Sequence, residues 1–295
     1  MKKILITGAG SYIGTSFENY MKKFEGEYQI DTLDMLDGSW REKSFSGYDA
    51  IFHVAGIAHS DSGKISEEKA KLYYSVNTHL TVETAKKAKQ DGAGQFVFMS
   101  SAIVYGDSGK IGKEKIITKE TMPSPANAYG DSKLQAENGI LELQDGCFDV
   151  CVLRPPMIYG ENSKGNYPTL AKLAKKMRVF PYVKNTRSML YIENLCEFVR
   201  LMIDNRERGI FFPQNSSYTN TSEMVKLIAL ANGKKTRLVK GTAWMLKILS
   251  PFTGLVNKAF GNLAYDMKIS EYKENYRVCD FEESIKRTEG NNNAC

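Results

Sequence analysis

The chain is 295 residues long, 42% hydrophobic and 25% charged, which predicts a soluble globular protein of one large domain, or one domain with a smaller appendage. Its net charge of +6 arises from both signs mixed along the sequence, with no long basic run and no aromatic-basic stripe, so nucleic acid is excluded as a partner. Five cysteines and three histidines stand at scattered positions without a C-x-x-C, which predicts a reduced, cytoplasmic protein with no bound metal.

Met1-Lys2-Lys3 leads directly into an apolar run too short for the core of a signal peptide. The most apolar late segment, 243–256, carries Lys247 and is broken by Pro251. It is too short to span a bilayer, and packing on the protein is expected ahead of lying on a membrane surface.

In chain order, residues 3–7 predict a buried strand, 16–24 a helix, 28–34 a second strand and 49–56 a third. A long helical stretch runs over 66–90. Residues 95–101 predict a fourth strand, 127–143 a helix, and 148–156 a fifth strand stopped by Pro155 and Pro156. Strands alternating with helices predict parallel βαβ units, hence an α/β fold with a doubly wound, Rossmann-type sheet. Right-handed crossovers place the loops after the strands along one edge, where ligands bind.

After Pro156 the rhythm breaks. Residues 187–204 predict a strand running into a helix that rejoins the main layer; short helices and loops follow from Gln214, and the polar tail 286–295 is expected to fray. The expected division is a dinucleotide-binding domain of 1–156 and 188–213, with a smaller substrate region of 157–187 and 214–295 closing over the cleft.

The chemistry begins at ILITGAGSYIG, residues 4–14. Gly8, Gly10, Ser11, Tyr12, Ile13 and Gly14 form a glycine-punctuated turn from strand to helix, where backbone N–H groups at a helix N-terminus suit a diphosphate. Asp34 falls at the end of the second strand, 20 residues after Gly14. An acidic side chain there accepts hydrogen bonds from the adenosine ribose and repels a 2′-phosphate. No cationic residue follows until Arg41, so NAD is favoured over NADP. Ser100 and Ser101 end the fourth strand at the same edge. Tyr129 and Lys133 lie four apart on a helix and share a face. A phenol beside an ammonium suits redox at a carbinol carbon, because the positive charge favours the phenolate. His53, His59 and Arg154 are expected to serve packing and local hydrogen bonding, and Trp40 to lie in the core rather than against adenine.

These motifs resemble the extended short-chain dehydrogenase/reductase family, the NAD-dependent epimerase/dehydratases of nucleotide sugars. In that family's T-G-x-x-G-x-x-G loop Thr7, Gly8 and Gly14 match, while Ser11 replaces the middle glycine. The segments VAG with Ala55 and Gly56, YSVN with Asn77, SSAIVYG, YGDSK and LRPPMIYG follow in order, so the resemblance covers roughly residues 3–230. It implies that Ser101 is the catalytic hydroxyl and Tyr129 the acid/base. Lys133 would tune Tyr129 and grip the nicotinamide ribose, and Asn77 would contact the cofactor region. It further implies that Arg187 meets the diphosphate of a UDP-sugar and that the backbone at Asn166 and Tyr167 holds the nucleotide. A homodimer pairing helices 66–90 and 127–143 is expected. The expected reaction is 4-epimerisation of a UDP-hexose or UDP-N-acetylhexosamine through a 4-keto sugar, serving surface polysaccharide synthesis. The alternative is NAD(P)H-dependent 4-reduction of a UDP-4-keto-6-deoxyhexosamine, since Ser188 stands where the usual epimerase pattern has an acidic residue. A minor alternative is a catalytically silent dinucleotide-binding protein. A 4,6-dehydratase is disfavoured by Ala102-Ile103 at the positions of its acid–base pair.

Overall fold

A computed structural model describes residues 1–57, 65–109, 112–241 and 260–290. His59, the apolar segment 243–256 and Cys295 lie outside the described residues. The first half runs β1 (Lys2–Thr7), α1 (Tyr12–Met21), β2 (Tyr28–Leu33), β3 (Ala50–His53), α2 (Glu67–Tyr73), α3 (Leu80–Gln90), β4 (Gln95–Met99), β5 (Ile116–Ile117), α4 (Ala128–Leu141) and β6 (Asp149–Leu153). The second half runs β7 (Met157–Tyr159), α5 (Asn166–Lys176), β8 (Val179–Pro181), β9 (Met189–Tyr191), α6 (Ile192–Asp204), β10 (Gly209–Phe211), α7 (Thr221–Ala231), β11 (Arg237–Val239), β12 (Ala264–Tyr265) and α8 (Phe281–Thr288).

Six parallel strands form the main sheet in the order β10-β6-β4-β3-β1-β2. The chain winds outward from β1 to β2, crosses back to β3, then winds the other way. That reversal between β1 and β3 opens a crevice at their carboxyl ends. Because side chains alternate across a strand, each face builds its own core. Ile4, Ile6, Phe52, Val97 and Leu153 pack with Phe17 of α1 and Leu195 and Phe198 of α6. Leu5, Ile51, Phe96, Phe98 and Val152 pack with Ala85 and Ala88 of α3 and Ala136 and Ile140 of α4.

Three two-stranded ladders, β7-β9, β8-β11 and β5-β12, lie outside the main sheet. The last joins a loop of the first half to the end of the chain. Tyr159 is fully buried and stacks on Tyr167 at 5.6 Å, which draws the start of α5 into the core shared with α6.

Three of the differences from expectation have a clear local reason. The first helix begins at Tyr12 rather than 16, because Ser11 caps it and Gly14 sits inside its first turn. The third strand stops at His53 because Val54 N and Ala55 N both turn back to Thr7 O, at 3.0 and 2.9 Å. The long helix 66–90 is broken by a π turn over Tyr74–His79, a feature that recurs at functional sites. Among the described residues no helix is long and apolar enough to cross a membrane.

Candidate active site

The glycine loop is fixed from both sides. Gly8 N and Ala9 N donate to Leu33 O at the end of β2, at 2.9 and 3.1 Å. On the other side a Cβ built at Gly8 would lie 2.7 Å from Ala55 N, and Gly8 has φ +113°. Glycine is therefore required there by both backbone conformation and space. Ser11 is the N-cap of α1, its Oγ accepting from Gly14 N at 3.2 Å. The Ser11 hydroxyl thus completes the helix start. A Cβ at Gly14 would lie 2.7 Å from that Oγ, so Gly14 leaves room for the cap. Helix geometry leaves the N–H groups of Tyr12 and Ile13 without intrahelical acceptors, at the mouth of the β1–β3 crevice. This is a cradle for a dinucleotide diphosphate.

Asp34 follows β2 directly and is exposed; its Oδ1 accepts from Leu36 N at 2.9 Å. Arg41, the first cationic residue after it, is occupied elsewhere. Its Nε and Nη2 reach the Glu83 carboxylate of α3 at 2.5 and 2.6 Å, and its guanidinium stacks on Trp40 at 4.6 Å. Trp40 is buried in the core between the sheet and α3.

The reacting end lies past β3 and β4. Ser101 ends the segment after β4, its Oγ capping the 3-10 turn Ala102–Tyr105 through Ile103 N at 3.2 Å. Tyr129 sits in the first turn of α4, a helix capped by Asn127. Burial pushes the Tyr129 phenol up to about 12, a hydrogen bond with Ser101 pulls it down, and nearby Tyr73 raises it. The Tyr73 ring lies 5.6 Å from that of Tyr129. Lys133 is buried, donates to Met99 O at 3.0 Å and lies 4.7 Å over the Phe98 ring. Burial pulls its ammonium down to about 8, against the opposing charge of Glu137. The Ser101 hydrogen bond favours the phenolate.

Asn77 comes from the π turn. Its Oδ1 accepts from Ile57 N at 2.8 Å, and its Nδ2 reaches Ser132 Oγ at 3.2 Å. A Cβ at Gly56 would lie 3.0 Å from Asn77 Oδ1 and 3.3 Å from Lys133 Nζ. Gly56 therefore marks the point where these two side chains meet the crevice floor. His53 is fully buried between Thr7 Oγ1 at 2.7 Å and Thr81 Oγ1 at 3.0 Å. Burial first, then the Lys133 charge, lowers it to about 3, so it is neutral and acts as a spacer.

The residues assigned to the sugar nucleotide scatter more widely. Arg187 is buried, with Nη1 donating to Gly261 O at 2.9 Å, and desolvation pulls its guanidinium down to about 10. Its backbone pairs with Thr219 and Leu263, so three chain segments converge on it. Ser188 bonds Gln214 and accepts from Tyr265 N at 2.8 Å, joining β9 to β12. Tyr167 is buried, and its hydroxyl donates to Glu289 Oε1 at 2.8 Å. Its side chain belongs to the core, which leaves the backbone of Asn166 and Tyr167 at the start of α5 for any ligand.

Sequence reasoning passed over Glu137. It is fully buried one turn beyond Lys133, in a salt bridge with Arg154. The available signal was its i,i+4 spacing from the lysine.

Over 297 residues the chain is 29% identical to the UDP-glucose 4-epimerase of Vibrio cholerae, covering 92% of this chain and 89% of that protein. Over 224 residues it is 28% identical to the N-acetyl-alpha-D-glucosaminyl-diphospho-ditrans,octacis-undecaprenol 4-epimerase of Escherichia coli O157:H7, covering 70% and 64%. The fold is shared with a dTDP-4-dehydrorhamnose reductase of Clostridium acetobutylicum, with TM-score 0.73, 20% identity, and 97% and 98% of the two chains covered. It is also shared with the UDP-glucuronic acid 4-epimerase of Bacillus cereus in complex with NAD, with TM-score 0.71, 15% identity, and 98% and 97% covered. Residues 4–211, from β1 through β10, match the family model itself, and the chain belongs to the NAD dependent epimerase/dehydratase family.

Proposed function

We propose that the protein is an NAD-dependent nucleotide-sugar 4-epimerase, acting on a UDP-hexose or UDP-N-acetylhexosamine for surface polysaccharide synthesis in the cytoplasm. The observation that carries the reading is the adenosine end of the crevice. Asp34 is exposed at the end of β2, while Arg41 is tied to Glu83. That arrangement favours NAD over NADP, and a tightly held NAD suits a reaction without net redox. The likeness to an epimerase over nearly the whole chain supports it.

In this reading segments 1–156 and 188–213 hold the cofactor, and 157–187 and 214–295 hold the sugar nucleotide. Tyr129 takes the proton of the C4 hydroxyl while Ser101 holds that oxygen. Lys133 keeps a positive charge beside the phenolate and grips the nicotinamide ribose, with Asn77 and Gly56 shaping the floor. Arg187 meets the diphosphate, and the backbone at Asn166 and Tyr167 steadies the nucleotide. NAD, when bound, would supply the hydride acceptor at C4 and the hydride donor to the opposite face of the keto sugar, and Tyr129 would give the proton back to the C4 oxygen.

Ser188 favours a second reading, 4-reduction of a UDP-4-keto-6-deoxyhexosamine, because an acidic residue follows the arginine in the usual epimerase pattern. The nucleotide released from the purified protein decides between them. Retained NAD, with UDP-sugar interconversion and no added cofactor, is the expected result. An empty site with NADPH consumed only alongside a 4-keto UDP-sugar overturns epimerisation in favour of reduction.

A homodimer is part of the same proposal. The π turn and α3 pack beside α4, linked by Tyr74 OH to Asp131 at 2.8 Å, and Leu72 of α2 is half exposed. Light scattering is expected to give twice the mass of the chain; a monomeric mass defeats this assignment.

A further inference from the structure

Glu137 lies on the helix that carries Tyr129 and Lys133, one and two turns beyond them, and is fully buried. Arg154 Nε reaches both of its oxygens at 3.1 Å, and Nη2 reaches Oε2 at 2.5 Å. The Ser100 hydroxyl donates to Oε1. Behind the pair, Arg154 Nη1 donates to Tyr105 OH at 2.6 Å, and Tyr265 OH donates to Arg154 O at 2.7 Å. One carboxylate thus joins α4, the end of β4 beside Ser101, and the end of β6.

A buried ion pair is a poor source of stability, because desolvation consumes most of the Coulombic gain and an apolar pair of equal volume serves as well or better. What it supplies is a fixed geometry and a charge. We propose that Glu137 is a positioning residue of the reaction: clamped by Arg154, it fixes Ser100 and Ser101 against the catalytic helix and keeps the Lys133 ammonium charged. The proposal rests on Ser101, Tyr129 and Lys133 being the reacting centre.

The surroundings of Lys133 give the charge its weight. His53 faces it from β3 and is neutral; Tyr129 shares its helix and carries no charge in the protein alone. Tyr73 of α2 packs on Tyr129. Asn77 from the π turn and Met99 O from β4 offer only dipoles. Burial lowers Lys133, and Glu137 is the group that raises it. Arg154 and Tyr105 lie on the far side of the carboxylate. Removing Glu137 alone both deletes the favourable charge and leaves the Arg154 cation uncompensated. Both effects lower the lysine pKa.

The test compares wild type, E137Q and the double variant E137Q/R154M as dinucleotide-loaded proteins. Melting temperature, dinucleotide affinity and the pH profile of kcat are measured. Lys133 ionisation is followed separately, as the pH-dependent side-chain ammonium NMR signal that is absent from a Lys133→Met protein carrying the same Glu137 substitution. For E137Q, kcat at neutral pH is expected to fall at least about tenfold with KM changed less than about threefold. Its alkaline limb should move acidward by about one pH unit, and Lys133 should titrate at lower pH. The double variant should regain most of the melting temperature lost by E137Q and still show the displaced profile and the lowered lysine. A double variant with wild-type profile and lysine titration overturns the proposal and leaves the pair purely structural. If wild type turns over no nucleotide sugar, the epimerase reading fails, and the lysine titration still decides the role of Glu137.

Discussion

Replacing Tyr129 with Phe is expected to lower kcat by about 10²–10⁴-fold, the usual contribution of a positioned general acid/base, while NAD binds as in wild type. The ring survives the change, so its contact with Tyr73 at 5.6 Å is kept. What disappears is the phenolic oxygen and its hydrogen bond to Ser101, a loss of about 1 kcal/mol in stability. The pH dependence follows from the environment of the phenol. With its pKa near 12, roughly one Tyr129 in 10⁵ is ionised at pH 7 in the protein alone. Positive charge nearby stabilises the phenolate and lowers that pKa, so the wild-type-minus-Phe tyrosinate difference should titrate at lower pH with NAD⁺ bound than without. Activity should rise with pH along the acid limb and fall where Lys133, drawn down to about 8 by burial, loses its proton. Measured turnover in Tyr129→Phe within threefold of wild type would sink the catalytic assignment; turnover lost together with NAD binding would move Tyr129 to the cofactor alone.

The sheet and the reacting helix were legible because their signals are local. Strand-length apolar runs, a glycine turn and a Tyr–Lys pair at i,i+4 each lie within a dozen residues. The one local mark of Glu137, its i,i+4 spacing from Lys133, is also that of an ordinary exposed helix pair. A glutamate in the middle of a helix reads as solvent-facing, and its burial depends on Arg154, 17 residues away on the next strand. The π turn that delivers Asn77 was hidden inside a continuous helical pattern, since the turn leaves composition unchanged. Tyr167 shows how far a side chain's partners can lie from it in sequence. Its position matched a nucleotide-holding segment, yet its side chain is claimed by Tyr159 and Glu289, partners distributed over 130 residues of sequence. The capping role of Ser11 depends on the N–H of Gly14, and the glycine pattern of the loop does not display it.

Replacing Gly8 with Ala is expected to abolish tight dinucleotide binding. Two independent costs meet at this residue. At φ +113° an L side chain is strained, a cost of about 1–3 kcal/mol. The new Cβ also lands 2.7 Å from Ala55 N, 2.9 Å from Ala55 Cα and 3.2 Å from the Val54 carbonyl carbon. These are backbone atoms, tied through Val54 N and Ala55 N to Thr7 O, so no rotamer change relieves the contact. The ends of β1 and β3 must separate at the point where the sheet reverses its winding and the crevice opens. NAD affinity is therefore expected to weaken by at least about 100-fold, equivalent to about 2.7 kcal/mol, with a lowered melting temperature. Calorimetric titration with NAD measures it. Two neighbours serve as controls on the cause. Gly10 has φ +70° but nothing within 4 Å of its Cβ, so Gly10→Ala bears only the conformational cost of about 1–2 kcal/mol. Ser11→Gly loses the cap oxygen but gains no bulk, and glycine is tolerated at that position; NAD affinity should stay within about tenfold, or ~1.4 kcal/mol, whereas Ser11→Leu should lose far more. If Gly8→Ala and Gly10→Ala weakened NAD equally, backbone conformation alone would account for the loop. A clear excess at Gly8 assigns the difference to the close approach of the β1 turn to the backbone after β3.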